Sequence, residues 1–203
     1  QYLTFRTGGA VLTALLVAFI LGPSVIRWLK SKQSSGQPIR DCGPESHIVK
    51  KQGTPTMGGF LILLGMTVAI VLWADLTNHY VWAVMAVTLG FGIIGFADDY
   101  QKVTEAHHNG ISGKLKLVLQ IVIAAAAAWW ITTVAPEPLA NGLGVPFVKS
   151  FLVPLGWLFI PFAVFVMVGA SNAVNLTDGL DGLAIVPVII AAGTFGLIAY
   201  LVG

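Results

Sequence analysis

Asp98 and Asp99 stand side by side where a long apolar stretch ends, in Phe96-Ala97-Asp98-Asp99-Tyr100-Gln101-Lys102. Adjacent carboxylates repel one another and call for a cation beside or between them. Neighbours on a helix diverge by about 100°, so the two cannot share a face. One is then free to serve a reacting group while the other is tied to Lys102. An ordinary cap at the end of a membrane span would use the same residue types.

The segment Ser171-Asn172-Ala173-Val174-Asn175-Leu176-Thr177-Asp178-Gly179-Leu180-Asp181-Gly182 repeats a polar side chain at every third position. On a straight α-helix a three-residue step drifts by about 60°, so Asn172, Asn175, Asp178 and Asp181 cannot share one face. A short 3₁₀ stretch, or a break at Gly179 and Gly182, would align more of them around a cavity. Amide and carboxylate oxygens suit hard Mg²⁺, whose shell is often completed by phosphates and water. Read as structure alone, the segment is a polar turn between two spans.

A third string, Lys50-Lys51-Gln52-Gly53-Thr54-Pro55-Thr56-Met57-Gly58-Gly59, leads into an apolar run. Lysines, threonines and small residues at the mouth of a helix let an anion such as phosphate approach backbone N–H groups closely. The alternative is a capping threonine with lysines anchored at lipid headgroups. His47, His79, His107 and His108 show no ligand spacing, because adjacent histidines diverge and lack a third partner. The lone Cys42 excludes an internal disulfide. Gly90-Phe91-Gly92-Ile93-Ile94-Gly95 has the Gly-x-Gly-x-x-Gly spacing but lies inside an apolar stretch and not at a strand-to-helix turn, and Walker and Ser-His-Asp patterns are absent.

These strings are positioned by a membrane scaffold. Of the 203 residues 56% are hydrophobic and only 10% charged, against about 25% charged in soluble domains. The net charge of +2 is not organised as a basic stripe with interleaved aromatics, so nucleic acid is not an expected partner. Six uncharged stretches reach the roughly 18 to 20 residues that cross a bilayer: Gly8 to Ile26, Met57 to Ala74, Tyr80 to Ala97, Leu117 to Val134, Phe151 to Ala170 and Leu183 to Gly203. The expectation is therefore an all-α polytopic transmembrane helical bundle, a single integral membrane domain. The first span is expected to end near Gly22 and Pro23, with its exit at Ile26 to Arg27. Alternating loops place nine basic residues on one side (Arg27, Lys30, Lys32, Arg40, Lys50, Lys51, Lys102, Lys114, Lys116) and two on the other (Arg6, Lys149). By the positive-inside rule, Arg27 to Thr56, Asp98 to Lys116 and Ser171 to Gly182 are cytoplasmic loops. The outer connections read as a tight turn at Asp75 to His79 and an irregular loop at Ala135 to Ser150.

Three strings together carry a resemblance. Lys51 to Gly59, Gly95 to Lys102 and Asn172 to Ala184 closely resemble the signatures of the bacterial phospho-N-acetylmuramoyl-pentapeptide transferase family, and Pro44-Glu45-Ser46-His47 fits it too. The likeness runs over essentially the whole chain. It implies a Mg²⁺-dependent enzyme of the bacterial cytoplasmic membrane, active on the cytoplasmic face. Such an enzyme moves phospho-MurNAc-pentapeptide from UDP-MurNAc-pentapeptide to undecaprenyl phosphate and releases UMP, the first membrane step of peptidoglycan synthesis. It also implies a homodimer.

By the same resemblance Asp98 and Asp99 match the catalytic aspartate pair, with Asp98 favoured as proton acceptor. Lys51, Thr56, Asn172, Asn175, Asp178, Gly179, Leu180 and Asp181 match the nucleotide-sugar site, and Lys102 and Lys114 match basic residues lining it. Asn175 and Asp178 are the implied metal ligands, with a further ligand expected beyond residue 203. Family members have about ten spans, so six spans imply the amino-terminal part of a longer protein. Three rivals can be named. A structural membrane module would need no aspartate pair beside a Gly-Thr-Pro-Thr loop. A transporter should carry charge within its spans, and these carry none. A sister transferase using UDP-N-acetylglucosamine should keep the aspartate pair but lose the Thr54 to Gly59 and Asn172 to Ala184 strings in this form.

Overall fold

The computed structural model describes residues 2–33, 56–104, 110–145, 148, 151–178 and 183–202. Six α-helices dominate them: α1 (Leu3–Lys32), α2 (Gly59–Trp73), α3 (His79–Thr104), α4 (Gly113–Val134), α5 (Phe159–Thr177) and α6 (Ile185–Val202). Long apolar runs adopt helices because lipid offers no partner for backbone N–H and C=O groups. Five helical stretches are long and apolar enough to cross a membrane, and α2, with 15 residues, is shorter. At about 1.5 Å per residue α2 extends roughly 22 Å, so the second expected span is only partly helical among the described residues. The chain is an all-α polytopic membrane protein.

Helix ends depart from the expected boundaries in ways the side chains explain. α1 does not stop at Gly22 and Pro23; Pro23 lies inside it and the helix runs to Lys32. Lys30 and Lys32 in its last turn suit the negative end of the helix dipole. α3 continues seven residues past Ala97 to Thr104, so Asp98, Asp99 and Lys102 are helical residues and not the start of a loop. A Phe96–Tyr100 ring stack and a Thr104 hydroxyl bonded to the Tyr100 carbonyl at 2.9 Å support that extension.

The fifth span is displaced. Leu152 to Pro154, expected to open it, instead form β2 (Leu152–Pro154) of a small antiparallel hairpin with β1 (Gly142–Gly144) from the expected loop, Leu143 facing Val153. A 3₁₀ turn at Leu139–Asn141 precedes it, so the segment after Ala135 is not wholly irregular. α5 begins only at Phe159, which puts Pro161 in the first turn, where its missing N–H is harmless. At its other end α5 runs through Asn172 and Asn175 to Thr177, so much of the expected inner loop is helix. Asn172 Nδ2 donates to the Val168 carbonyl at 2.8 Å and Thr177 Oγ1 to the Ala173 carbonyl at 2.8 Å. Turned back on their own helix in this way, polar side chains do not interrupt it.

The chain divides into two compact units, Arg6–Ile123 and Gln1–Phe5 with Ala124–Gly203. In the first unit α1 and α2 lie against each other. A Cβ on Gly65 would come within 3.2 Å of the Ala14 carbonyl oxygen, so a glycine there allows the two backbones a close approach. Trp73, at the end of α2, donates its indole N–H to Thr13 Oγ1 at 2.9 Å, and its carbonyl accepts from Arg6 Nε at 2.7 Å. Asn78 caps α3 by accepting from the Tyr80 N–H at 2.9 Å. The Thr77 hydroxyl and N–H on Asp75 hold that loop carboxyl below the usual carboxylate range.

In the second unit Thr4 and Tyr200 share a hydroxyl hydrogen bond of 2.7 Å, tying the first turn of α1 to the end of α6.

Candidate functional site

The chemistry-bearing residues of the first unit converge where α1 and α3 end and where α2 and α4 begin. α4 starts at Gly113 because Ser112 caps it, its carbonyl accepting from the Lys116 N–H at 3.0 Å and its hydroxyl from the Leu115 N–H at 3.4 Å. That cap brings the backbone of Gly110 and Ile111 against Asp98. The Ile111 N–H donates to Asp98 Oδ1 at 3.0 Å. A Cβ on Gly110 would collide with the Asp98 carboxylate and come within 2.7 Å of the Asp98 carbonyl oxygen, so this approach requires glycine.

Lys102 answers the repulsion between the paired carboxylates. Its Nζ lies 2.7 Å from Asp98 Oδ2 and 3.6 Å from Asp99 Oδ1. Lys116 Nζ reaches Asp98 Oδ2 at 3.8 Å. Two carboxylates thus meet two ammonium groups near the carboxyl-terminal end of α3, where the helix dipole alone would disfavour negative charge.

The two aspartates are held differently. Asp98 has a side chain only 12% exposed, and both its oxygens are engaged. Asp99 is 36% exposed at the side chain, and its Oδ2 accepts from the Thr56 hydroxyl at 3.2 Å. Asp98 is therefore the enclosed carboxylate that both lysines reach, and Asp99 the more accessible one.

Thr56 is fixed in turn by Gln33, just past the end of α1. The Thr56 N–H donates to Gln33 Oε1 at 2.9 Å, and Gln33 Nε2 donates to the Thr56 carbonyl at 3.3 Å. Met57 follows with φ 72°, in the left-handed region that residues other than glycine rarely adopt. Its sulfur accepts from Gln33 Nε2 at 3.6 Å.

Of the residues singled out in the sequence, Asp98, Asp99, Lys102 and Thr56 are brought together. Lys114 is exposed on α4; it is Lys116, two positions on, that faces Asp98. A two-residue step turns a helix by about 200°, so the two lysines point to opposite sides, and spacing alone could not choose between them. Gln33, Gly110 and Ile111 had no motif to mark them. Lys51, Gly179, Leu180 and Asp181 lie outside the described residues.

Asn172, Asn175 and Asp178 belong to the other unit. Asn172 and Asn175 lie on regular α-helix, and Asp178 is the residue at which α5 ends, its N–H still bonded to the Val174 carbonyl at 3.1 Å. Asn172 and Asn175 follow the α-helical phase, while Asp181 and the breaks expected at Gly179 and Gly182 lie outside the described residues. Asn175 and Asp178 are exposed oxygen donors at the helix end. Their chemistry fits a hard divalent cation, although the described residues gather no group of three or more histidine, cysteine or acidic side chains.

Comparison with known proteins matches the segments that carry these residues. A signature described as phospho-N-acetylmuramoyl-pentapeptide-transferase signature 1 matches residues 51–63, which include Thr56 and the start of α2. The chain is 59% identical over all 203 residues to a phospho-N-acetylmuramoyl-pentapeptide-transferase from Granulibacter bethesdensis, and spans 56% of that relative's length. A family model described as glycosyl transferase family 4 matches residues 81–203, from the first turns of α3 through Asp98 and Asp99 to the end of α6. With more than half of its length matched, and the aspartate pair within the match, the chain belongs to glycosyl transferase family 4.

Proposed function

We propose that this chain carries part of the active site of a phospho-N-acetylmuramoyl-pentapeptide transferase, which joins phospho-MurNAc-pentapeptide from its UDP derivative to undecaprenyl phosphate and releases UMP. The observation that carries the reading is the bond from Thr56, inside the matched signature, to Asp99, inside the matched family region. In the transfer an oxygen of the acceptor phosphate bonds to the sugar-bearing phosphorus, and the bond from that phosphorus to the UMP oxygen breaks. Bringing two anions together beside a low-dielectric bilayer is the chief obstacle, and fixed cations at the site reduce it. Lys102 and Lys116 supply them, with Asp98 holding both ammonium groups in place.

Proton removal is the smaller task, since a phosphate monoester with a second pKa near 6 is mostly dianionic at pH 7. Resemblance favours Asp98 as proton acceptor, yet its side chain is the more enclosed of the two, held by Lys102 and the Ile111 N–H. Asp99, more exposed and oriented by Thr56, is the carboxylate we assign to face the reacting phosphates. Mg²⁺ completes the proposal: Asn175 and Asp178 would hold it, and when bound it would neutralise phosphate charge. The same reading places the site on the cytoplasmic face, in a bacterial inner membrane and in a homodimer.

The test is to supply the full-length protein, in detergent with undecaprenyl phosphate and Mg²⁺, with UDP-MurNAc-pentapeptide or UDP-N-acetylglucosamine. UMP release from the first alone is expected. Release from UDP-N-acetylglucosamine alone would overturn the substrate assignment, and release from neither would overturn the function.

A further inference from the structure

Gln33 is a buried polar residue, 7% exposed, with no part in the chemistry assigned above. Its backbone completes the last turn of α1, with its N–H bonded to the Leu29 carbonyl at 3.0 Å. That bond needs no particular side chain. The side-chain amide does something separate, gripping the peptide of a residue 23 positions away at two points, one through its oxygen and one through its nitrogen. A single hydrogen bond would leave the Thr56 backbone free to rotate about it, whereas two with opposite polarity fix its orientation.

The strained position next in sequence makes this grip consequential. Met57 holds φ 72°, a conformation that persists only where the surroundings over-determine it. Gln33 Nε2 also reaches the Met57 sulfur, so one side chain holds both sides of the strained peptide. The direction of the Thr56 side chain follows from that backbone, and its hydroxyl ends on Asp99 Oδ2.

We propose that Gln33 is a positioning residue for the transfer reaction: by clamping the Thr56 peptide it aims the Thr56 hydroxyl at Asp99 and so fixes the carboxylate that faces the reacting phosphates. This rests on the assignment of Asp99 to the reaction centre. Gln33 touches no reacting group itself. Its loss leaves Lys102 and Lys116 on Asp98, so affinity for the nucleotide-sugar is retained while the geometry of the chemical step is degraded.

The test is a double-mutant cycle in the full-length protein, with Gln33→Leu, Thr56→Val and the pair, measuring kcat and KM for UMP release and the melting temperature in detergent. Gln33→Leu should lower kcat about tenfold or more, the effect of one lost hydrogen bond to a charged group. KM and melting temperature should stay close to the parent's. Since both changes act through one bond, the pair should be no slower than Thr56→Val alone.

Multiplicative losses, or a raised KM with unchanged kcat, would overturn the proposal. So would a lowered melting temperature that accounts for the whole loss of activity. Hydrogen exchange at the Thr56 amide gives a readout independent of activity. Faster exchange in Gln33→Leu is expected, and unchanged protection overturns the clamp. Parent protein that releases no UMP would overturn the functional reading instead, and the exchange measurement would then decide the clamp by itself.

Discussion

The Thr56 hydroxyl donates to Asp99 Oδ2 across 3.2 Å, joining residues 43 positions apart in the chain. Thr56 precedes α2 and Asp99 lies in the last turns of α3, so this bond connects the matched signature to the aspartate pair. A hydrogen bond to a charged group is worth about 1.5–3 kcal/mol. Thr56→Val should therefore lower kcat about tenfold to a hundredfold, while Thr56→Ser, which keeps the hydroxyl, should stay within about threefold of the parent. Steady-state UMP release in the full-length protein checks both.

Asp98 and Asp99 should separate by stability. Removing Asp98 leaves Lys102 and Lys116 without their shared partner in a half-buried place. Breaking a fully buried pair costs about 3–5 kcal/mol, which partial exposure of the lysines reduces to about 1–3 kcal/mol here. Asp98→Asn should consequently lower the melting temperature in detergent and the activity together. Asp99→Asn, at a more exposed carboxylate, should leave the melting temperature nearly unchanged.

Gly110→Ala introduces a Cβ where the Asp98 carbonyl oxygen would be 2.7 Å away. That oxygen belongs to helical backbone and cannot swing aside, so the segment ahead of α4 must move. Overpacking of this kind costs about 1–3 kcal/mol. Loss of the Ile111 N–H from Asp98 should appear as faster amide exchange at Ile111, with a drop in turnover.

The lysines of α4 make a paired prediction. Lys116→Met should reduce kcat several-fold or more, because Lys116 helps neutralise Asp98 and approaching phosphate. Lys114→Met, at an exposed position on the opposite side of the helix, should affect turnover less. Comparable losses in both variants would restore Lys114 to the place that resemblance gave it.

Orientation can be tested with cysteines in a Cys42→Ser background. A cysteine at Gln101 should be protected from an impermeant thiol reagent in intact cells, and one at Asn141 should be labelled. The expectation comes from the basic-residue asymmetry between the two sets of loops.

Much of this architecture was legible because apolar run length is a strong signal in a chain with so little charge. The helical character of the greater part of all six stretches followed from it, whereas the grouping of Asp98, Asp99, Lys102 and Thr56 was legible only through the family resemblance. Boundaries were less legible. The extension of α3 to Thr104 depends on side-chain pairs such as Asp98–Lys102 that sustain a helix after hydrophobicity ends. The late start of α5 depends on the Leu143–Val153 pairing, in a hairpin of apolar residues that reads like the start of a span. Gln33 and Ile111 were illegible for a different reason, since each acts through a long-range hydrogen bond that neither residue type nor local spacing encodes.

Chelation separates the metal from the protein groups. EDTA should stop UMP release and added Mg²⁺ should restore it. Asp178→Asn should need more Mg²⁺ for half-maximal rate, with an unchanged melting temperature.

If Asp99, held by Thr56 and Lys102, faces the phosphates that react, its neutralisation must slow the chemical step itself. Single-turnover UMP release tests it most directly, with full-length parent and Asp99→Asn proteins compared at saturating UDP-MurNAc-pentapeptide and undecaprenyl phosphate. A rate lower by about a hundredfold or more, with nucleotide-sugar binding retained, is the predicted result. A near-parental rate in Asp99→Asn would contradict the account and leave the carboxylate pair as a helix-end anchor.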